Sequence, residues 1–185
     1  MVDGVEADDV IGTLSRQATA AGIDCVISTG DKDLTQLVNP QVRLVNTMSN
    51  EVLDEAGVKA KFGVPPQRII DYLALVGDSS DGIPGVPKVG PKTAVKWLEA
   101  WGSLDAIVAH ANEIGGAVGE NLRDHLGFLP LGVKLVTVVC DLPLPLSVVE
   151  LAPQAPDREK LAELYARLEF KGWLRELGDD APAPA

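Results

Sequence analysis

The chain has 185 residues, 46% of them hydrophobic, and a formal net charge of −11 from 27 acidic and 16 basic side chains. That is enough apolar content for one good core with a small second lobe, and it excludes a disordered chain. There is no run of ~18 apolar residues to span a membrane, and the opening Met1-Val2-Asp3-Gly4-Val5-Glu6 lacks the basic and apolar regions of a signal peptide, so the expectation is a soluble cytoplasmic protein with no membrane partner.

In chain order, Val10, Ile11, Leu14, Ala18 and Ala21 recur at helical spacing and predict a helix ending near Gly22. Glu6, Asp8 and Asp9 fall in its opening turn. Cys25-Val26-Ile27 reads as a short buried strand, with Asp31 and Asp33 just past its carboxyl end, where open α/β sheets bind ligands. A second strand is expected at Val42-Arg43-Leu44-Val45, and the strand, helix, strand spacing implies parallel pairing. Helical segments follow at about 54–62, ending at Gly63, and from Pro65-Pro66 up to Gly77, immediately before Asp78. Residues 82–94 carry too much Gly and Pro for a regular element and too many apolar residues for a flexible linker, so a tight ordered loop is expected. A helix over about 92–101 leaves it, and Ser103 caps a further short one. Beyond that, 112–119 reads as a turn, 122–126 and 135–139 as helix, and Leu161, Leu164, Tyr165 and Leu168 as a final amphipathic helix, followed by a linker-like tail over 179–185. Cys25 and Cys140 lie in separate apolar runs and read as buried thiols, while His110 and His125 match no zinc spacing.

The acids carry the chemistry. An acid at a helix start is usually a cap, and any one of them could be that alone. Glu6, Asp8, Asp9, Asp31, Asp33, Asp78 and Asp81 instead form three clusters at element ends. Like charges gathered this way are relieved by divalent cations, and hard oxygen donors favour Mg2+ or Mn2+. Asp31-Lys32-Asp33-Leu34-Thr35 also fits the Asp-x-Asp-x-Thr signature of haloacid dehalogenase phosphatases, but that reading leaves the 85–94 loop without a role. Glycine turns between helices can offer backbone amides to a phosphate, and Lys88, Lys92 and Lys96 add positive charge, so this loop points to nucleic acid.

Together Gly4-Val5-Glu6-Ala7-Asp8-Asp9-Val10-Ile11, Ser28-Thr29-Gly30-Asp31-Lys32-Asp33, Gly77-Asp78-Ser79-Ser80-Asp81-Gly82-Ile83-Pro84-Gly85 and Val89-Gly90-Pro91-Lys92-Thr93-Ala94 resemble, in order, the 5′-nuclease domains of bacterial DNA polymerases I, relatives of flap endonucleases. The resemblance runs from about Gly4 to Leu177. It implies a PIN-like α/β fold with a partial parallel sheet and flanking helices over 1–76, then a helical lobe with a helix-hairpin-helix over 77–178. The implied activity is metal-dependent 5′ to 3′ exonuclease and 5′-flap endonuclease action on DNA in replication and repair, at the bacterial nucleoid. Two divalent cations would be held by Glu6, Asp8 and Asp9 and by Asp31, Asp33, Asp78 and Asp81. Gly85, Lys88, Gly90, Lys92, Thr93 and Lys96 would grip branched or nicked duplex DNA without regard to sequence, with K+ at the hairpin. Family domains begin well before the position of Glu6, with further metal-site aspartates and a basic arch. The expectation is therefore weak cleavage by this chain alone, which needs that N-terminal segment, with a polymerase domain as a further partner. The alternative is a non-catalytic duplex-binding module.

Overall fold

A computed structural model describes residues 3–153 and 155–179. The first helix, α1 (Ala7–Ala20), opens on acids that complement its positive end, and it ends before Gly22, whose φ of +68° suits a residue without a side chain. Strand β1 (Cys25–Ser28) pairs in parallel with β2 (Val42–Asn46), Ile27 opposite Leu44, as the spacing predicts. The connection between them is a 3-10 turn at Asp33–Leu37. A third strand, β3 (Glu51–Leu53), adds antiparallel to β2 in the order β1-β2-β3. Its sequence is too short for a period-two pattern to be visible.

Ile27, Val42, Leu44 and Leu53 face the core, whereas Val26 and Val52 are 52% and 57% exposed on the other face. The stretch predicted as a buried strand is thus covered on one side only, and β1 is an edge among the described residues. Cys25 and Cys140 are free and only half-buried, which corrects the expectation of buried thiols.

Helix α2 (Glu55–Phe62) starts on Asp54, whose carboxylate accepts from the Gly57 amide at 2.7 Å, and stops at left-handed Gly63. Helix α3 (Ile69–Val76) is the hub of the molecule. It buries Ile69, Tyr72, Leu73, Ala74 and Leu75 among the sheet and the later helices.

Two residues on either side of a turn then form an antiparallel hairpin, β4 (Gly77–Asp78) and β5 (Ile83–Pro84), where no regular element was expected. Helices α4 (Pro91–Trp101), α5 (Leu104–Ala109), α6 (Gly116–His125) and α7 (Leu129–Val136) complete this unit. Helix α6 begins inside the predicted turn at 112–119. The helix predicted over 135–139 in fact ends at Val136, and the chain beyond becomes an extended strap. The reason is visible in its hydrogen bonds. The amides of Val138, Val139, Leu142 and Val148 donate to Gln36, Asp9, Thr13 and Gln17, so side chains of α1 and of the 3-10 turn take the place of helical acceptors. Asp9, Thr13 and Gln17 are four residues apart and share one face of α1.

The chain divides into two compact units, the second starting at Glu150. In that unit α8 (Arg158–Arg167) is the predicted final helix, and α9 (Lys171–Asp179) is an additional one. Tyr165, Phe170 and Trp173 hold the pair together, with Phe170 and Trp173 edge to face at 4.8 Å. Apart from Asp179, the predicted tail lies outside the described residues. Among the described residues no helix is long and apolar enough to cross a membrane.

Candidate functional site

The three acidic clusters meet. The start of α1 brings Glu6, Asp8 and Asp9, the end of β1 brings Asp31 and Asp33, and the β4–β5 turn brings Asp81 to the wall of one open cleft of about 550 Å³. Asp78, at the end of β4, is 1% exposed beside it. Oxygens of Asp33, Asp78 and Asp81 lie within 4.8 Å of one another, the one such grouping among the described residues.

Short-range geometry holds these side chains in place. The Asp31 amide donates to the Thr29 hydroxyl and the Asp33 amide to the Asp31 carboxylate, both at 2.9 Å, so the loop after β1 folds over its own acids. Asp9 accepts from the Val139 amide at 2.9 Å and from the Glu6 amide at 3.2 Å, one bond on each oxygen. It ties the strap to the start of α1. Asp78 accepts from the Ser80 amide at 2.8 Å and pairs with the Lys32 ammonium at 2.6 Å.

A pair of glycines makes the approach of Asp78 possible. A Cβ on Gly77 would lie 2.3 Å from the Gly85 nitrogen, and one on Gly85 would lie 2.2 Å from the carbonyl carbon of Val76. Only glycine permits this contact, and Gly77 also has φ +82°. Gly85, which the resemblance places at the DNA grip, packs here against the backbone of Val76 and Gly77.

The electrostatics are those of crowded carboxylates. Burial, then the charges of Asp78 and Asp31, push Asp33 up to about 7. Asp8 is raised as well, by burial first and then by Asp31, Glu6, Asp9 and Asp81. Burial also acts to raise Asp78, but hydrogen bonds from Lys32 and the Ser80 amide outweigh it and hold that carboxyl below its ordinary value. The residues suit a hard divalent cation on two counts. Every donor is a carboxylate oxygen, and Asp33 Oδ1 is buried with no hydrogen-bond partner.

The loop expected to meet nucleic acid lies between β5 and α4. Lys88 (φ +66°), Lys92 and Lys96 are exposed, the last two one turn apart on α4, and Thr93 is half-buried. Gly90 is the residue before the first turn of α4, and a Cβ there would meet nothing within 4 Å. The Asn121 amide of α6 donates to the Pro87 carbonyl at 2.7 Å and pins the turn. Asn121, Thr13, Gln36 and Lys32 are positioning groups that sequence reasoning did not single out. Lys32 alone carried a signal, being flanked by two of the clustered acids.

Residues 64–159 match the family described as "5'-3' exonuclease, C-terminal SAM fold", and residues 1–63 the one described as "5'-3' exonuclease, N-terminal resolvase-like domain". DNA polymerase I of Pseudomonas aeruginosa is 48% identical over 184 residues, covering 95% of this chain and 20% of that protein. A 5'-3' exonuclease of Aquifex aeolicus is 40% identical over 174 residues, covering 94% of this chain and 59% of the other. The chain thus spans a fifth to three fifths of these relatives. A bacteriophage T5 5'-exonuclease structure with bound divalent metal ions (zinc) superposes with a TM-score of 0.67 at 22% identity, over 75% of this chain and 52% of that one. The catalytic core of Rad2 in complex with DNA substrate superposes at 0.56 and 16% identity, over 88% and 57%. At those identities the likeness shows the fold.

Proposed function

Since the chain belongs to the 5'-3' exonuclease family, we propose that it carries the acidic centre and the duplex grip of a nuclease that hydrolyses DNA from 5′ ends and at 5′ flaps. The observation that supports this most is the convergence of Asp33, Asp78 and Asp81 on one point, with a buried Asp33 oxygen left for a cation. On this reading Asp33, Asp78 and Asp81 would hold one Mg2+ or Mn2+, and Glu6, Asp8 and Asp31, which line the same cleft, would serve a second. Divalent cations held there would supply an activated water and neutralise charge on the phosphate.

The chain's own groups do the rest. Asp9 fixes the start of α1 against the strap, so that Glu6 and Asp8 keep their place on the cleft wall. The uncompensated wall repels a phosphodiester, which makes substrate entry conditional on cation loading. Lys88, Lys92 and Lys96, with the open turn at Gly90, take backbone phosphates of a branched or nicked duplex and give position without base preference. No side chain has to serve as nucleophile, and the haloacid dehalogenase reading has no support in the family match. In the relatives named DNA polymerase I the matched part is a fifth of the protein, and this chain reads as the nuclease portion of such a protein.

The test is a 5′-labelled flap duplex incubated with the full-length protein that carries this sequence. Magnesium-dependent release of 5′ products is expected, lost by at least 100-fold in Asp33→Asn, the order of loss seen when a transition-state stabilising group is removed. Duplex binding without any cleavage would favour the non-catalytic module instead.

A further inference from the structure

Lys32 is the one basic side chain paired with a member of the acidic cluster among the described residues. Its ammonium lies 2.6 Å from Asp78 Oδ1, and the Asp78 side chain is only 2% exposed while that of Lys32 is 33% exposed. The same oxygen also accepts from the Ser80 amide, so its acceptor capacity is filled. Asp33 Oδ1, by contrast, has no partner. The cluster therefore holds one carboxylate with a filled oxygen in Asp78, one with an empty oxygen in Asp33 and, in Asp81, one exposed carboxylate around a tethered positive charge.

We propose that Lys32 is a resident cation of this centre: it occupies Asp78 in the metal-free protein, keeps the crowded carboxylates folded, and yields Asp78 when a divalent ion arrives. The inference rests on the metal-centre reading above and adds a competitor to it. An ammonium pairs with one carboxylate, whereas a divalent ion can draw on all three, so exchange is favourable only where Asp33 and Asp81 contribute too. Because the Lys32 side chain is a third exposed and its four-carbon stem is flexible, the ammonium can swing into water once released. Affinity for the divalent ion is then set by the difference between the two cations. A fixed positive charge that stayed near the centre would oppose metal binding outright, and a purely structural clamp would leave the affinity untouched.

Mn2+ titration calorimetry at pH 8 on wild type, Lys32→Met and Lys32→Arg separates these cases, with melting of each protein in EDTA. Lys32→Met should melt several degrees lower in EDTA and bind Mn2+ about 10-fold more tightly, the order expected when the incoming ion no longer has to break the Lys32–Asp78 ion pair. Lys32→Arg should restore both values toward wild type. Unchanged or weaker Mn2+ binding by a folded Lys32→Met protein overturns the inference while leaving the metal centre standing. No Mn2+ binding by wild type overturns the metal centre and this inference with it. A measurement on unmodified side chains does not depend on the variant folding. The 15N resonance of the Lys32 ammonium, slowed in exchange by Asp78, should move to the position of a solvated lysine on saturation with Mg2+. Persistence of the paired signal at saturation contradicts release.

Discussion

Asp33 is where local folding and charge repulsion conflict most directly. It is 8% exposed, one oxygen has no partner, and its carboxyl titrates near 7 instead of its ordinary 3.8, through burial and then the charges of Asp78 and Asp31. A folded-state pKa above the unfolded one means that the folded chain holds the extra proton. The associated stability is complete below about pH 4 and is lost as pH rises through about 7, by ~1 kcal/mol per pH unit at the steepest. Asp78 has the opposite sign, because its carboxyl is held below the ordinary value. Its contribution is present above that value and is lost only as pH falls below it. Metal-free protein should therefore lose urea resistance between pH 4 and 7, and Asp33→Asn should flatten that slope and be the more stable of the two at pH 8. Equal slopes in the two proteins would mean that Asp33 ionises freely. All seven acids could be picked out in the sequence because they cluster at element ends. The difference between an acid whose oxygens are filled by amides, such as Asp9, and one left open, such as Asp33, could not, since it depends on Val139, 130 residues away.

At the scale of elements, glycines with the same appearance in sequence separate into two kinds. Gly85 sits where a side chain would overlap the backbone at Val76 and Gly77, and Gly90 sits in open space at the start of α4 with ordinary backbone angles. Gly85→Ala should lower the melting temperature sharply, by an amount in the upper range for single substitutions, ~3 kcal/mol or more, because β4 and β5 must part. Gly90→Val should leave melting within a degree or two and weaken duplex binding by screening the turn's backbone from phosphate. Circular dichroism melts and fluorescence anisotropy with a labelled duplex check both, and a stable Gly85→Ala protein would contradict the close-packing account. Helices were the most legible elements: α1 and α4 carry a periodic apolar face, and α1, α2 and α4 each stop at or just before a glycine. The elements missed are those without local pattern. Strand β3 has three residues, β4 and β5 have two each, and the strap over 137–149 is fixed by Gln36, Asp9, Thr13 and Gln17, far away in sequence.

Over the whole molecule, a chain of net charge −11 acts as a DNA-handling protein only if its charge is segregated. Six carboxylates line one cleft, while Lys88, Lys92 and Lys96 are exposed around the turn before and along α4. The fold class and the family could be read from the four ordered motifs, because it is their joint pattern and order, not any single acid, that a set of structural caps does not reproduce. The covering of the sheet's second face could not be read, since Val26 and Val52 are as apolar as their buried neighbours, and alternation says which residues share a face but not what lies over it. In the proposed reading the cleft is a divalent-metal centre built on Asp33, Asp78 and Asp81. Diffraction from crystals soaked in Mn2+, collected at the manganese absorption edge, tests it most directly. An anomalous peak is expected at ~2.2 Å from oxygens of Asp33 and Asp81, the usual range for a hard divalent cation on carboxylate, and it should be lost in Asp33→Asn. An ordered cleft with no anomalous peak at saturating Mn2+ would contradict it.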